Sequence, residues 1–285
     1  MSSCRNNRAV LVLAVALSAC STDRKPIDRP EEIAQGPVSP VNIVATDYAF
    51  EMPDTVSSGV VLMNLVNHGK ELHHVTLAKL EGDKTIENFK AVMKEPGPPP
   101  PWLKFVGGPN PAAPGQTISG GTVLTPGKYL AICFIPSPDG APHVAKGMIR
   151  PFTVVGNDSI AAVLPPAADT IKLVDYDFQP SRPLTKGKHT FIVQNAGPQP
   201  HELVVVKLAP GKTIEDFGKW AETGLKGPPP ADAVGGVATM DSGRTAQFTA
   251  ELTPGEYGLI CFVPDTRDGK PHLAHGMMKS FKVES

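Results

Sequence analysis

The amino-acid sequence predicts an all-β protein built as two tandem β-sandwich domains, each interrupted by one short helix. Three observations carry that expectation. The 285 residues include 31 prolines and 27 glycines and few long helical patterns, which suits many short strands joined by turns. Short apolar, β-rich runs recur between turn signals, as two packed sheets require. The chain also repeats itself at an offset of 128 residues. That is too long for a solenoid, whose unit is roughly 20–50 residues, and suits a duplicated domain.

The repeat can be followed residue by residue. Asp47-Tyr48-Ala49-Phe50 returns as Asp175-Tyr176-Asp177-Phe178, and Asn67-His68-Gly69 as Asn195-Ala196-Gly197. Lys84-Thr85-Ile86-Glu87 matches Lys212-Thr213-Ile214-Glu215, and Gly107-Gly108 matches Gly235-Gly236. Thr125-Pro126-Gly127 with Tyr129 matches Thr253-Pro254-Gly255 with Tyr257. The offset holds to Cys133 and Cys261, then grows to 129 through one added residue.

Taken in order, residues 1–20 read as a signal segment. Arg5 and Arg8 precede AVLVLAVAL, a run too short to span a bilayer as a helix. Leu17-Ser18-Ala19-Cys20 resembles a bacterial lipoprotein cleavage box, with Cys20 as the lipidated residue, and Ser21 fits outer-membrane sorting in a Gram-negative host. Residues 21–39 mix both charge signs with proline and read as an extended tether. The expected location is the cell envelope, lipid-anchored and facing the periplasm or cell surface. With 27 basic and 28 acidic residues there is no case for nucleic-acid binding.

The first domain is placed at 40–156, a linker at 157–169 and the second domain at 170–285. VNIVA (41–45), VVLMNLV (60–66), HVTLAKL (74–80) and KYLAICFI (128–135) read as strands, as do TIKLV (170–174), TFIVQ (190–194), ELVVVKL (202–208) and EYGLICFV (256–263). Thr85 and Thr213 are plausible helix N-caps. Ile86, Phe89 and Met93, like Ile214, Phe217 and Trp220, share a helical face and are expected in the core. The proline-rich GPPPPWLKF and GPPPADAV are expected to run as extended cover over the sandwich.

The polar residues that survive the repeat are the informative ones. His73 matches His201, Cys133 matches Cys261, His143 matches His272 and Met148 matches Met277. Neighbouring histidines do not persist: His68 faces Ala196, His74 faces Glu202, Lys146 faces His275 and His189 faces Val61. Once Cys4 leaves with the signal and Cys20 is lipidated, Cys133 and Cys261 are the free thiols, and an oxidising compartment wants them paired, ligated or buried. A bland reading exists for each residue: a buried cysteine, an inter-domain disulfide, core methionines, loop histidines. A thiolate, two imidazoles and a thioether together instead form the donor set that suits blue copper. Structural zinc prefers four strong Cys or His ligands.

The elements D-Y-x-F, N-x-G-x-x-x-H, P-G-x-Y-x-x-x-C and H-x4-M resemble the cupredoxins, the type 1 copper domains, over nearly all of both repeats. The resemblance implies Greek-key sandwiches, with His73, Cys133, His143 and Met148 as copper ligands in the first and His201, Cys261, His272 and Met277 in the second. It implies that Asn67 and Asn195 tie the ligand loops together through hydrogen bonds. One feature departs from the small electron carriers: nine residues separate Cys133 from His143 and ten separate Cys261 from His272. PHVAKGM looks more like the corresponding loop of copper nitrite reductase.

A second, catalytic copper centre would need further histidines. Ile132 and Ile260 precede the cysteines, and no His-x-His occurs. The chain is therefore expected to be not an enzyme but a one-electron carrier holding up to two copper ions, served by a redox partner protein in the envelope. The alternatives are copper storage or delivery, with a copper donor or acceptor as partner, and a metal-free interaction module.

Overall fold

Strand β4 (Gly59–Asn67) shows how this sequence makes sheet. Val61, Met63, Leu65 and Asn67 are buried, while Leu62, Asn64 and Val66 between them are less so. That period of two turns one face of the strand onto a core. The computed structural model describes residues 39–94, 97–156 and 162–285, all within one unit, Gln35–Ser285. The expected signal segment, Cys20 and most of the tether lie outside the described residues.

In the first repeat the other strands are β1 (Ser39–Thr46), β2 (Ala49–Glu51), β3 (Thr55–Ser57), β5 (Thr76–Leu80), β6 (Leu103–Gly107), β7 (Thr117–Leu124), β8 (Gly127–Ile132) and β9 (Ile149–Val155), with helix α1 (Ile86–Val92) between β5 and β6. The second repeat has β10 (Asp169–Val174), β11 (Asp177–Pro180), β12 (Gly187–Asn195), β13 (His201–Leu208), β14 (Ala231–Met240), β15 (Thr245–Leu252), β16 (Gly255–Ile260) and β17 (Met278–Val283), with α2 (Ile214–Glu222) between β13 and β14. The protein is all-β, with one short α-helix inserted in each repeat.

The strands form two sheets, ordered β11-β10-β12-β15-β7-β4-β1-β2 and β17-β16-β13-β14-β6-β5-β8-β9-β3. Both sheets run through both repeats. β7 pairs antiparallel with β15, placing Gly120 opposite Phe248, its own equivalent in the repeat. In the other sheet β6 meets β14, and Pro109 bridges to Val237, again its equivalent. Antiparallel pairing of equivalent positions is what a two-fold axis produces, so the repeats meet as an isologous pair within one chain.

Each repeat keeps its own core between the sheets. Ile43, Met63, Leu65, Leu77 and Tyr129 pack in the first, and Leu173, Phe191, Val193, Phe248 and Tyr257 in the second. The repeated Thr-Pro-Gly-x-Tyr now has a physical role. The buried Tyr129 hydroxyl donates to Thr125 O at 2.9 Å and Tyr257 to Thr253 O at 2.8 Å, so each large ring is buried without an orphaned hydroxyl.

Thr85 and Thr213 cap the helices in capping boxes. Phe89, Ile214 and Phe217 are buried as expected, and Ile86 and Trp220 are partly buried against smaller cores. Met93 is not: it is 44% exposed, because α1 ends at Val92 and Met93 caps it beyond the last inward-facing turn. The proline-rich stretches also depart from expectation. Pro98 and Pro99 are exposed, but LKF and ADAV belong to β6 and β14, whose far ends meet at the seam between repeats through Val106 and Met240. The glycines that follow disguised these strands. A Cβ on Gly108 or Gly236 would lie 2.0 or 1.9 Å from the carbonyl oxygen of Val75 or Leu203, so only glycine lets the two backbones approach.

Because both sheets are continuous across the seam, the described chain should unfold in one transition, with calorimetric and van't Hoff enthalpies in agreement. Phe248 is buried at the seam and stacked on Phe191 at 4.9 Å. Phe248→Ala should cost about 3–5 kcal/mol, measured by denaturant unfolding. Two separate transitions in the wild type would contradict this continuity.

Candidate metal centres

The sandwich brings the matched residues of each repeat together. His73 lies just ahead of β5, its backbone paired in both directions with Ala112; His201 opens β13. Cys133 and Cys261 follow the last residues of β8 and β16, which stop three residues short of the ends of the runs KYLAICFI and EYGLICFV. His143 and His272 begin short 3-10 turns, His143–Lys146 and His272–His275.

The long loops return these residues accurately. Bridges between Pro136 and Pro142, and between Pro264 and Pro271, pinch off each loop near its base. Past the pinch, Val144 N–H donates to Cys133 O, Cys133 N–H to Met148 O and Met148 N–H to His143 O, at 2.8–3.2 Å. The second repeat matches every bond with Leu273, Cys261, Met277 and His272. Loop length therefore changes the excursion and not the position of the histidine or methionine.

Within each centre the two imidazoles face each other through Nδ1. His73 Nδ1 is 3.1 Å from His143 Nδ1, and Cys133 Sγ is 3.4 Å from the latter. The second set gives 3.0 Å between His201 and His272 Nδ1, with Cys261 Sγ 3.9 and 3.5 Å from them. The two cysteines, four histidines, Met148 and Met277 all have no exposed surface. Both cysteines are free thiols, which removes the disulfide alternative.

Carboxylates behind the rings orient them. His73 Nε2 bonds Asp47 Oδ1 at 2.9 Å, His201 Nε2 bonds Asp175 Oδ1 at 2.8 Å and His143 Nε2 bonds Glu71 Oε2 at 2.8 Å. A proton held on Nε2 by the carboxylate leaves the Nδ1 lone pair facing the centre, the arrangement metal-binding histidines use. Burial alone would raise the Asp47 carboxyl, but Lys70 N–H and His73 outweigh it and hold the group below its usual range. Glu71 is likewise held down, against burial, by Tyr48 and His143. Burial lowers His73 and His201, and burial with the neighbouring His201 pulls His272 down to about 4. Burial pushes the Cys133 thiol up to about 12 and raises Cys261 further. Two imidazoles and a thiol are gathered in each centre where only a bound cation would compensate a thiolate.

Gly69 and Gly197 are required here by space. A Cβ on Gly69 would lie 2.4 Å from Asp47 Oδ1 and 2.6 Å from His73 Nε2; on Gly197 it would be 2.8 Å from both Asp175 Oδ1 and His201 Nε2. Asn67 accepts from Gly69 N–H and donates to Glu71 O and Ala112 O. Asn195 repeats the pattern with Gly197, Gln199 and Met240.

The two centres differ at one partner. Gln199 stands where the first repeat has Glu71, and it bonds Asp175, Tyr176 and Asp265 instead of the histidine. Among the described residues His272 Nε2 has no hydrogen-bond partner, with Asp265 Oδ2 3.8 Å away. A third group, Asp265, Asp268 and His275, also clusters in the second repeat, but Asp265 is committed to Arg267 and Tyr176.

Sequence reasoning missed the roles of Asp47, Asp175 and Glu71 and those of Tyr48 and Tyr176, whose rings lie 5.0 and 5.6 Å from His143 and His272. The D-Y-x-F repeat was the available signal for four of the five; Glu71 left none, because its counterpart is glutamine. The unmatched histidines belong to neither donor set: His68 is exposed, His189 bonds Asp169 and His275 bonds Asp268. His74 is buried and bonds Asn110.

No family model and no curated protein matches the sequence. Among solved structures, the chain is similar to dithionite-reduced auracyanin from the photosynthetic bacterium Roseiflexus castenholzii, at 23% identity over 42% of this chain and 100% of that one, with a TM-score of 0.30. It is similar to auracyanin A, a "blue" copper protein of Chloroflexus aurantiacus, at 19% identity, with the same 42% and 100% coverage and a TM-score of 0.30. Over 87% of this chain and 95% of the other, it is similar to copper nitrite reductase from Nitrosomonas europaea, at 13% identity and a TM-score of 0.27.

Asp47→Asn should weaken metal binding at the first centre about 10–100-fold and leave the second unchanged, measured by competition against a chelator. Gly69→Ala should act in the same direction by displacing His73. Unchanged affinity in both variants would mean that the carboxylate does not orient the ring.

Proposed function

We propose that the chain is a copper protein with one type 1 centre per repeat, carrying single electrons at the cell envelope. The observation that supports this most is the duplicated, fully buried set of two opposed imidazole Nδ1 atoms and a cysteine sulfur. His73, Cys133, His143 and Met148 would hold one ion; His201, Cys261, His272 and Met277 would hold the other. Bound copper supplies a one-electron couple that the cysteine thiolate shares with the protein, and the weak thioether donor adjusts its potential.

The rest of the work falls to the chain. Asp47, Glu71 and Asp175 keep three imidazoles in the tautomer that presents Nδ1. Asn67 and Asn195 fasten the loop ahead of the first histidine to the neighbouring backbone. Burial excludes water, and the close, preset positions of the donor atoms mean that little must move when the charge changes. Full burial also favours electron carriage over storage or delivery, since metal exchange needs an accessible ligand. With Ile132 and Ile260 ahead of the cysteines, no adjacent histidine offers a route to a catalytic copper. Cys20 would anchor the protein by its lipid, and the partner would be another envelope protein that gives or takes one electron.

Copper-loaded protein should be intensely blue when oxidised and bind one copper per repeat. Cys133→Ser and Cys261→Ser should each remove one copper and its share of the absorption. Tight Cu(I) binding without the blue band would instead favour copper handling, and no binding would leave a metal-free module.

A further inference from the structure

His74 and Glu202 occupy equivalent positions in the repeat, immediately after the first histidine of each centre, and Asn110 links them across the seam. Phe134 N–H donates to His74 Nε2 at 2.9 Å, with Thr76 Oγ1 3.4 Å from the same atom. With Nε2 accepting, Nδ1 carries the proton and donates to Asn110 Oδ1 at 3.1 Å. Asn110 Nδ2 donates to Glu202 Oε2 at 3.1 Å and lies 3.5 Å from Val237 O. Glu202 Oε1 accepts from Phe262 N–H at 3.1 Å. Every donor meets an acceptor, and all three side chains are buried.

Both ends of this chain finish at the metal centres. Phe134 and Phe262 are the residues after Cys133 and Cys261. The backbone N–H of Glu202 lies 3.5 Å from Cys261 Sγ, and Phe134, whose N–H bonds His74, directly follows Cys133. Hydrogen bonds through three side chains therefore link the residue after one cysteine to the residue after the other. Other bonds across the seam, such as Gln116 Nε2 to Ala233 O and Ala238 N–H to Gly108 O, touch no cysteine or matched histidine. Packing alone does not call for a buried imidazole, amide and carboxyl, since apolar residues of similar volume serve a core at least as well.

We propose that His74, Asn110 and Glu202 form the route by which one electron passes between the two centres, which makes the chain a two-centre relay. This rests on the copper reading above. The reduced Cu(I) centre is oxidised to Cu(II) as the oxidised centre is reduced to Cu(I); no bond forms or breaks and no proton changes partner. The low-dielectric surroundings strengthen and polarise the linked bonds.

Two measurements test the bridge, one of them without metal. In metal-free protein, Glu202→Gln reverses one donor–acceptor pair at nearly constant volume and should shift the Phe134 amide resonance on the far side of the seam; an unmoved Phe134 amide would show that the chain of bonds is not continuous and overturn the proposal. In loaded protein, a Met148→Gln background gives the two centres distinguishable bands, and a flash-generated one-electron reductant is supplied below stoichiometry. The electron should redistribute between the bands at a rate independent of protein concentration. Asn110→Leu, or Glu202→Gln should Asn110→Leu not fold, should lose that phase while both bands remain. Persistence of the phase in these variants, or its absence from the parent with both bands present, would overturn the relay. Absence of the bands from the parent would remove the copper reading and the relay with it.

Discussion

Each centre depends on commitments made behind the imidazoles. Three of the four Nε2 atoms are held by carboxylates, and this decides which nitrogen faces inward. Once Nδ1 of His73 and His143 must face each other, the neighbouring chain is tightly constrained: Gly69 can carry no side chain, Asn67 must fasten the turn, and Asp47 must stay ionised against its own burial. The sandwich supplies the rigidity for this, since β8 delivers the cysteine and the pinched loop returns the histidine and methionine to its side. A looser scaffold would let the rings turn over and satisfy their nitrogens elsewhere.

Much of this was legible in the sequence, for identifiable reasons. Strands such as β4 and β12 announce themselves because they alternate against a core, and the helices because threonine caps precede apolar periodicity. The donor set was legible because duplication acts as an internal control, keeping His73, Cys133, His143 and Met148 while nearby histidines changed. The seam strands β6 and β14 were not legible. Their glycines and upstream prolines resemble loop, and the reason for Gly108 and Gly236 is the neighbouring backbone of Val75 or Leu203 in the same repeat, which no local pattern reveals. Met93 followed helical periodicity one step past the end of the helix.

The orienting residues were half legible. Asp47 and Tyr48 were visible as a repeated motif, but pairing Asp47 with His73 requires knowing that the turn after β1 packs against the turn after β4. Glu71 was invisible because Gln199 replaces it. That replacement makes the two centres chemically unequal: one has both imidazoles backed by carboxylates, and the other leaves His272 Nε2 without a hydrogen bond among the described residues.

The two-fold relation between the repeats has a further consequence. In a dimer of identical subunits, every contact across the axis is made twice and equivalent positions carry the same residue, so the positions of His74 and Glu202 would both be histidine or both glutamate. Covalent fusion lifts that restriction. Here His74 has Glu202 as its counterpart, and Asn110 has Ala238, so a directional string of donors and acceptors can cross an axis that symmetry would otherwise forbid it to cross. Joining the two copies in one chain gave the junction a polarity that separate copies could not encode.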